Sequence, residues 1–201
     1  NSGAFVGMLG SYTLDGHGHG HAGTFVYDAM GERWAKDLAK DVYQLPGYFR
    51  EERSTYYRVR AEGHNTIVIS PDTSLGQDGR RASKIVAFEQ NDNGGYAIAD
   101  LAPVYSKYAN SMRRGVYFDA QTESLVVQDE LELKSSQDIW WFMHTDAVVD
   151  IDESGKTAKL IKGSKTLTVS INSPADARFG VMQAKPLPTS PNPEGQNINE
   201  G

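Results

Sequence analysis

Three of the five histidines in this 201-residue chain stand in one stretch, Gly16-His17-Gly18-His19-Gly20-His21-Ala22-Gly23. A single glycine separates each histidine from the next. In an extended chain, residues two apart point to the same side, so His17, His19 and His21 can line one face. The glycines between them leave room for another backbone or a ligand to approach closely. Two imidazoles at this separation need one more ligand from elsewhere to hold a transition metal. The competing reading is a polar, glycine-rich turn whose histidines are only solvated. An expression tag does not suit a stretch flanked by strand-like segments.

Further chemistry lies downstream. Arg50, Arg53, Arg58, Arg60, Arg80, Arg81 and Lys84 fall close together, and Arg113 and Arg114 follow. Glu51, Glu52 and Glu62 are interleaved with them, which reads as a solvated face of alternating sign. The functional alternative is a local basic cleft for an anionic ligand on an otherwise acidic protein. The formal net charge is −6, from 26 acidic and 20 basic residues, which argues against a nucleic-acid partner. The chain has no cysteine, so disulfides and thiolate metal sites are excluded.

The elements that must position these residues read as short strands. Ala4-Phe5-Val6-Gly7-Met8-Leu9 is an apolar run, and Thr24 to Tyr27 is β-branched and aromatic. A turn at Asp28–Gly31 and the segment Glu32–Asp37 complete a hairpin. Gln44 to Glu52, with Pro46-Gly47, reads as a loop. Tyr56–Arg60 and His64–Ser70 read as strands, the second stopped by Pro71. Strand patterns recur at Lys84–Glu89, Tyr96–Leu101, Arg113–Asp119, Leu125–Leu133, Ile139–Thr145, Lys156–Lys162 and Thr166–Ser170. The turns Asn91–Gly95 and Gly163-Ser164 separate some of them. Only Glu32 to Asp41 has helical flavour. Many short strands at this spacing predict an all-β, antiparallel β-sandwich or a barrel.

The hydrophobic fraction of 39%, with ten tyrosines, seven phenylalanines and three tryptophans, can build one core. The length suits one all-β domain or a large fragment of a longer protein. No apolar run approaches a membrane span, and no cationic-then-apolar leader is present. The chain opens Asn1-Ser2-Gly3 without an initiator methionine, as a fragment or a processed chain does. The domain is expected over 1–183. Residues 184–201, with four of the eight prolines, read as a linker-like tail or a truncated edge.

In order along the chain, several segments resemble the C-terminal β-sandwich of heparinase II/III-type polysaccharide lyases. They are His17-Gly18-His19 with Gly23-Thr24-Phe25, then Glu32-Arg33-Trp34-Ala35 leading to Asp37-Leu38, then Arg60 to Thr66. Ala99-Asp100-Leu101 and Trp141-Phe142-Met143-His144 add support. The resemblance runs from about Phe5 to about Thr145. It implies a two-part enzyme in which an N-terminal α/α toroid, outside this sequence, and the sandwich enclose a cleft for acidic polysaccharide. It implies β-elimination at a uronate-containing substrate, in the periplasm or outside the cell. It also implies a zinc ion (Zn2+) on the positions matching His19, Asp37 and His64, with His17 beside the substrate.

Read for their own chemistry, Asp28 and Asp41 compete with Asp37 as the carboxylate; the resemblance favours Asp37. The chain departs from the family pattern at two places. Members often carry Asp where His21 stands here, and Gly where Ala39 stands. His21 therefore competes with His19 as a ligand. For proton transfer in the intact enzyme, His17 is the first candidate and Tyr48 and Tyr56 are secondary. Arg53 and Arg58 are candidates to meet a substrate carboxylate or sulfate. Two other classes fit the residues less well. One is a non-catalytic carbohydrate-binding module, using aromatic residues such as Trp34 and Trp140. The other is a cupin-like metalloenzyme, but that needs a Glu a few residues after the histidine pair, and the first is Glu32.

Overall fold

The computed structural model describes residues 3–10 and 17–198; Gly16, at the head of the histidine stretch, lies outside them. Twelve strands make two antiparallel layers. One layer is a four-stranded sheet of β5 (Lys84–Asn91), β6 (Gly94–Asp100), β7 (Ala109–Asp119) and β8 (Ser124–Leu133), in sequence order. The other is divided into three pieces. These are β1 (Phe5–Met8) with β2 (Phe25–Ala29) and β3 (Glu32–Ala35), then β4 (Ile67–Ile69) with β9 (Ile139–Trp141), then β10 (Val148–Ile151) with β11 (Thr157–Lys162) and β12 (Lys165–Ser170). Every pairing is antiparallel, and no α-helix occurs among the described residues. The fold is the antiparallel β-sandwich expected from the strand pattern.

Alternation fixes which residues face inward. On β2, Phe25, Tyr27 and Ala29 are buried while Val26 and Asp28 are less so. They join Trp34 and Leu160 in the main core, against Phe118, Leu125 and Val127 of the facing sheet. A second cluster places Ile67 and Ile69 against Ala99, Leu101 and Met112, closing the other end of the sandwich.

The inward row of β7 and β8 contains one polar interruption. Arg114 and Asp129 are cross-strand partners in register, set among Met112, Val116, Val127 and Leu131. The Arg114 guanidinium makes a two-pronged bond to Asp129, at 2.7 and 2.8 Å, and is fully buried. Its remaining donor reaches the Gly23 carbonyl at 2.8 Å and the Asn65 carbonyl at 2.7 Å.

The sequence expectations differ from the structure in three stretches. Tyr56–Arg60 is not a strand. Glu51–Thr55 and Ala61–Gly63 are 3-10 turns, and residues 36–66 form one irregular excursion between β3 and β4. Tyr56, Tyr57 and Val59 are buried together, which a one-faced strand cannot do, and Tyr56, Val59 and Arg60 bond to carbonyls three or four residues back. His64 precedes β4 rather than starting it, and the strand expected over Ile139–Thr145 ends at Trp141. The tail from residue 184 folds back: Gln196 accepts the Tyr57 N–H at 2.8 Å, and Ser190 donates to Glu62 at 2.8 Å.

Removing one partner of a buried ion pair strands the other charge, at a cost of roughly 3–5 kcal/mol. Arg114→Met is therefore expected to lower the unfolding free energy by at least about 3 kcal/mol in urea titration. A change below about 1 kcal/mol would show that the pair does not hold the layers.

Candidate metal centre

The histidine stretch links β1 to β2, and three contacts fix its path. Arg53 donates to the Gly18 carbonyl through Nε at 3.3 Å and Nη2 at 3.0 Å. The Gly20 N–H donates to the Val59 carbonyl at 2.7 Å. Gln77 grips Ala22 at both its N–H and its carbonyl, each at 3.0 Å. Gly20 lies so close to the excursion that a Cβ there would stand 2.9 Å from the Ala61 nitrogen. A side chain at that position would push the two backbones apart, so glycine is required.

This packing brings His19 and His21 against His64. The ring centroids are 5.3–5.5 Å apart, and one ligand-capable nitrogen from each lies within 4.8 Å of the others. Asp37 lies behind His64, its Oδ2 2.8 Å from His64 Nδ1. The same oxygen accepts from the Thr24 hydroxyl at 3.3 Å, and Oδ1 accepts the Ala39 N–H at 2.8 Å. Burial opposes ionisation of Asp37, but the bond and charge of His64 and the Ala39 N–H outweigh it and hold the carboxyl below its usual range. An ionised carboxylate only accepts, so His64 carries its proton on Nδ1. The lone pair is left on Nε2, which is buried and has no hydrogen-bond partner. A buried, unpartnered imidazole nitrogen backed by a carboxylate is the arrangement metal-ligating histidines use. The residues therefore fit the zinc that the resemblance implies.

His19 and His21 are held neutral near pH 7. Burial first, then His64, His21 and Arg53, push His19 down to about 3. Burial and His64 push His21 down to about 4. Metal binding requires that state.

His144 was not singled out for a role in the sequence, but it braces the centre. Asn65 accepts the His144 backbone N–H at 2.6 Å and sits 3.2 Å from its Nδ1, while its own amide donates to Phe25 and Lys36 carbonyls. Burial keeps the Tyr57 hydroxyl protonated, and it donates to His144 Nε2 at 2.9 Å. All of Asn65's amide capacity is thus used inside the fold.

Of the expected catalytic and substrate residues, His17 is exposed while Tyr48, Tyr56, Arg53 and Arg58 are buried. His17 is exposed and meets Phe49 and Tyr43 edge-on, at centroid distances of 5.4 and 6.2 Å. Beneath it, Tyr48 is buried and its oxygen accepts the Asp41 N–H at 3.4 Å. Tyr56 donates to the Pro46 carbonyl at 2.5 Å, and burial with nearby Glu52 and Asp41 raises its pKa, the opposite of what a base needs. Arg53 and Arg58 are buried: Arg53 bonds to Gly18 and Tyr48 carbonyls, Arg58 to those of Leu38, Lys40 and Asn197. They hold the excursion together. Asp41 is bonded to the Asn197 N–H and Asp28 to Arg33, so neither joins the histidines.

Fold and site define an all-β sandwich domain with a histidine cluster under an aromatic rim. The chain belongs to the heparinase II/III-like, C-terminal family, whose model matches residues 4–187. Among solved structures it is similar to heparinase III, the BT4657 gene product, with a TM-score of 0.70 and 15% identity over 96% of this chain and 28% of that one. It is also similar to the heparan sulfate lyase HepC from Pedobacter heparinus, with a TM-score of 0.61 and 15% identity over 81% of this chain and 24% of that one. This chain therefore spans about a quarter of the length of those proteins. No curated protein matches it. Family membership removes the cupin-like alternative.

Two expectations follow. Ala39 sits at φ +57°, a left-handed conformation that costs a residue with a Cβ roughly 1–2 kcal/mol. This is the position where the family pattern often has Gly. Ala39→Gly is expected to stabilise the protein by about 0.5–1 kcal/mol after the added unfolded-state entropy, read as a higher urea midpoint. A lower midpoint would contradict the strain. The second concerns acid. Burial depresses His19, His21 and His144 on folding, so between pH about 6.5 and 4 the unfolded chain binds more protons and stability falls as pH falls. Asp37 adds its loss only below about pH 4. In the presence of a chelator, unfolding free energy should be level above pH 7 and drop by at least about 2 kcal/mol by pH 4. A level profile across that window would show that the rings are not held neutral by the fold.

Proposed function

We propose that this chain is the β-sandwich part of a polysaccharide lyase that cleaves uronate-containing, heparan sulfate-like polysaccharide by β-elimination, outside the cytoplasm, and that it carries zinc. The substrate class rests on the relatives' names and on family membership. The observation that carries the reading is the adjacency of a solvent-facing His17 to a buried neutral cluster two residues further on. Zinc on His19 and His64, with Asp37 behind His64 and implied as the third member, would supply Lewis-acid charge at the rim and tie the loop to the excursion.

β-Elimination removes the C5 proton of the uronate, forms the C4–C5 double bond and expels the C4 oxygen, which takes up a proton. The proton at C5 is weakly acidic while the adjacent carboxylate is charged, so preorganised cations or donors must offset that charge. On this rim the exposed cations are Lys40, stacked over Tyr43 at 4.2 Å, and Arg50. His17 is the proton-transfer group. An imidazole can give or take a proton, and this one is accessible and aromatic-flanked. Arg53 acts through it by fixing the Gly18 carbonyl. The rest of the cleft belongs to the remainder of a longer chain, as in the much longer relatives.

The test is His17→Ala in the full-length enzyme, with zinc content measured in parallel. Turnover to unsaturated uronate product is expected to fall by about 10²-fold or more while zinc is retained. Unchanged turnover would remove His17 from the chemistry.

A further inference from the structure

The cluster contains a ring that the family pattern does not supply. We infer that His21 is a metal ligand in this protein, giving a three-imidazole set of His19, His21 and His64, and that Asp37 acts through His64 instead of on the ion. The inference rests on the zinc reading above and goes beyond it in naming the ligands.

Three observations converge. First, the ligand-capable atoms that lie within 4.8 Å of one another are nitrogens of His19, His21 and His64. Tetrahedral zinc with bonds of about 2.0–2.1 Å draws its ligands closer than that, which small side-chain rotations provide. Second, both Asp37 oxygens already accept hydrogen bonds: Oδ2 from His64 and Thr24, Oδ1 from Ala39. Oδ2 can reach an ion only by giving up a donor, and Oδ1 is already committed to the Ala39 N–H. Third, Asp37 holds the Nδ1 side of the His64 ring, so the unpartnered Nε2 looks away from it, and His19 and His21 are the rings packed against His64. An ion on Nε2 therefore meets imidazoles. The carboxylate orients and polarises His64 from behind, as carboxylates backing metal-bound histidines do. Three neutral nitrogens leave the fourth tetrahedral position to solvent or an anionic oxygen.

The test is X-ray absorption on the purified protein loaded with zinc at unit stoichiometry, with cobalt-loaded protein for its visible spectrum. Three imidazoles and no protein carboxylate are expected. His21→Asp, which restores the residue common in the family, and His21→Ala should each remove one imidazole from the count and weaken zinc by about 100-fold or more. Asp37→Asn should leave the count at three and weaken zinc by about 10–100-fold. Circular dichroism of the variants separates ligand loss from misfolding, and the wild-type count depends on no variant. Zinc bound with two imidazoles and a carboxylate overturns this inference and leaves the zinc reading standing. Failure of the wild-type protein to take up zinc or cobalt overturns both.

Discussion

The buried guanidinium of Arg114 is the constraint on which the site depends. It stands on the inner face of the four-stranded sheet, where the alternation of β7 would otherwise place an apolar residue. Its charge is tolerable there because Asp129, directly across the ladder, binds it with two parallel bonds, and two backbone carbonyls take the remaining donor. Those carbonyls belong to Gly23, two residues after His21, and Asn65, one residue after His64. The pair therefore does more than join two strands. It sets the separation of the two chain segments that carry the histidine cluster.

A second layer of polar contacts orients the cluster. Asn65 joins Phe25, Lys36 and His144, and His144 reaches Tyr57. Thr24 bonds both to the Asn65 N–H and to Asp37. Each of these groups is satisfied, and a satisfied buried network fixes geometry where a half-satisfied one would destabilise it. His64 Nε2 is the exception among the buried side-chain nitrogens and oxygens of the described residues. It is the atom on which the proposed zinc would sit.

Much of the fold was legible because alternation and turn chemistry dominate it. The two-residue alternation along the ten residues of β8, with Leu125, Val127, Leu131 and Leu133 inward, is a strand signal. The same alternation put Arg114 and Asp129 on the inner face, a signal available in the sequence and obscured by grouping Arg114 with the surface arginines. The excursion over residues 36–66 was less legible. It has no period, Arg53, Arg58 and Arg60 are buried on carbonyls that only the tertiary path supplies, and Tyr48, Tyr56 and Tyr57 are buried without a strand's alternation. His19 and His64 were paired through the resemblance, and Asp37 with them. What no spacing rule could give was that Asp37 would meet His64 at Nδ1 and so turn the opposite nitrogen toward His19 and His21.

The glycine–histidine alternation does two jobs that pull on the same backbone. Gly20 lets the irregular loop slide under the excursion, within bonding distance of Val59 and too close to Ala61 for any side chain. The histidines then point from a ribbon that cannot retreat. An acid at position 21 would bring a second carboxylate near Asp37, and both would compete for the positive charge of an ion. A neutral imidazole there leaves the proposed zinc centre one unit more positive. That difference is felt at the rim, where His17 and the exposed cations face solvent. On a protein of net charge −6, a polyanionic chain would otherwise be repelled. In the proposed lyase, a more positive centre beneath the rim would lower that barrier locally and draw the polyanion toward His17.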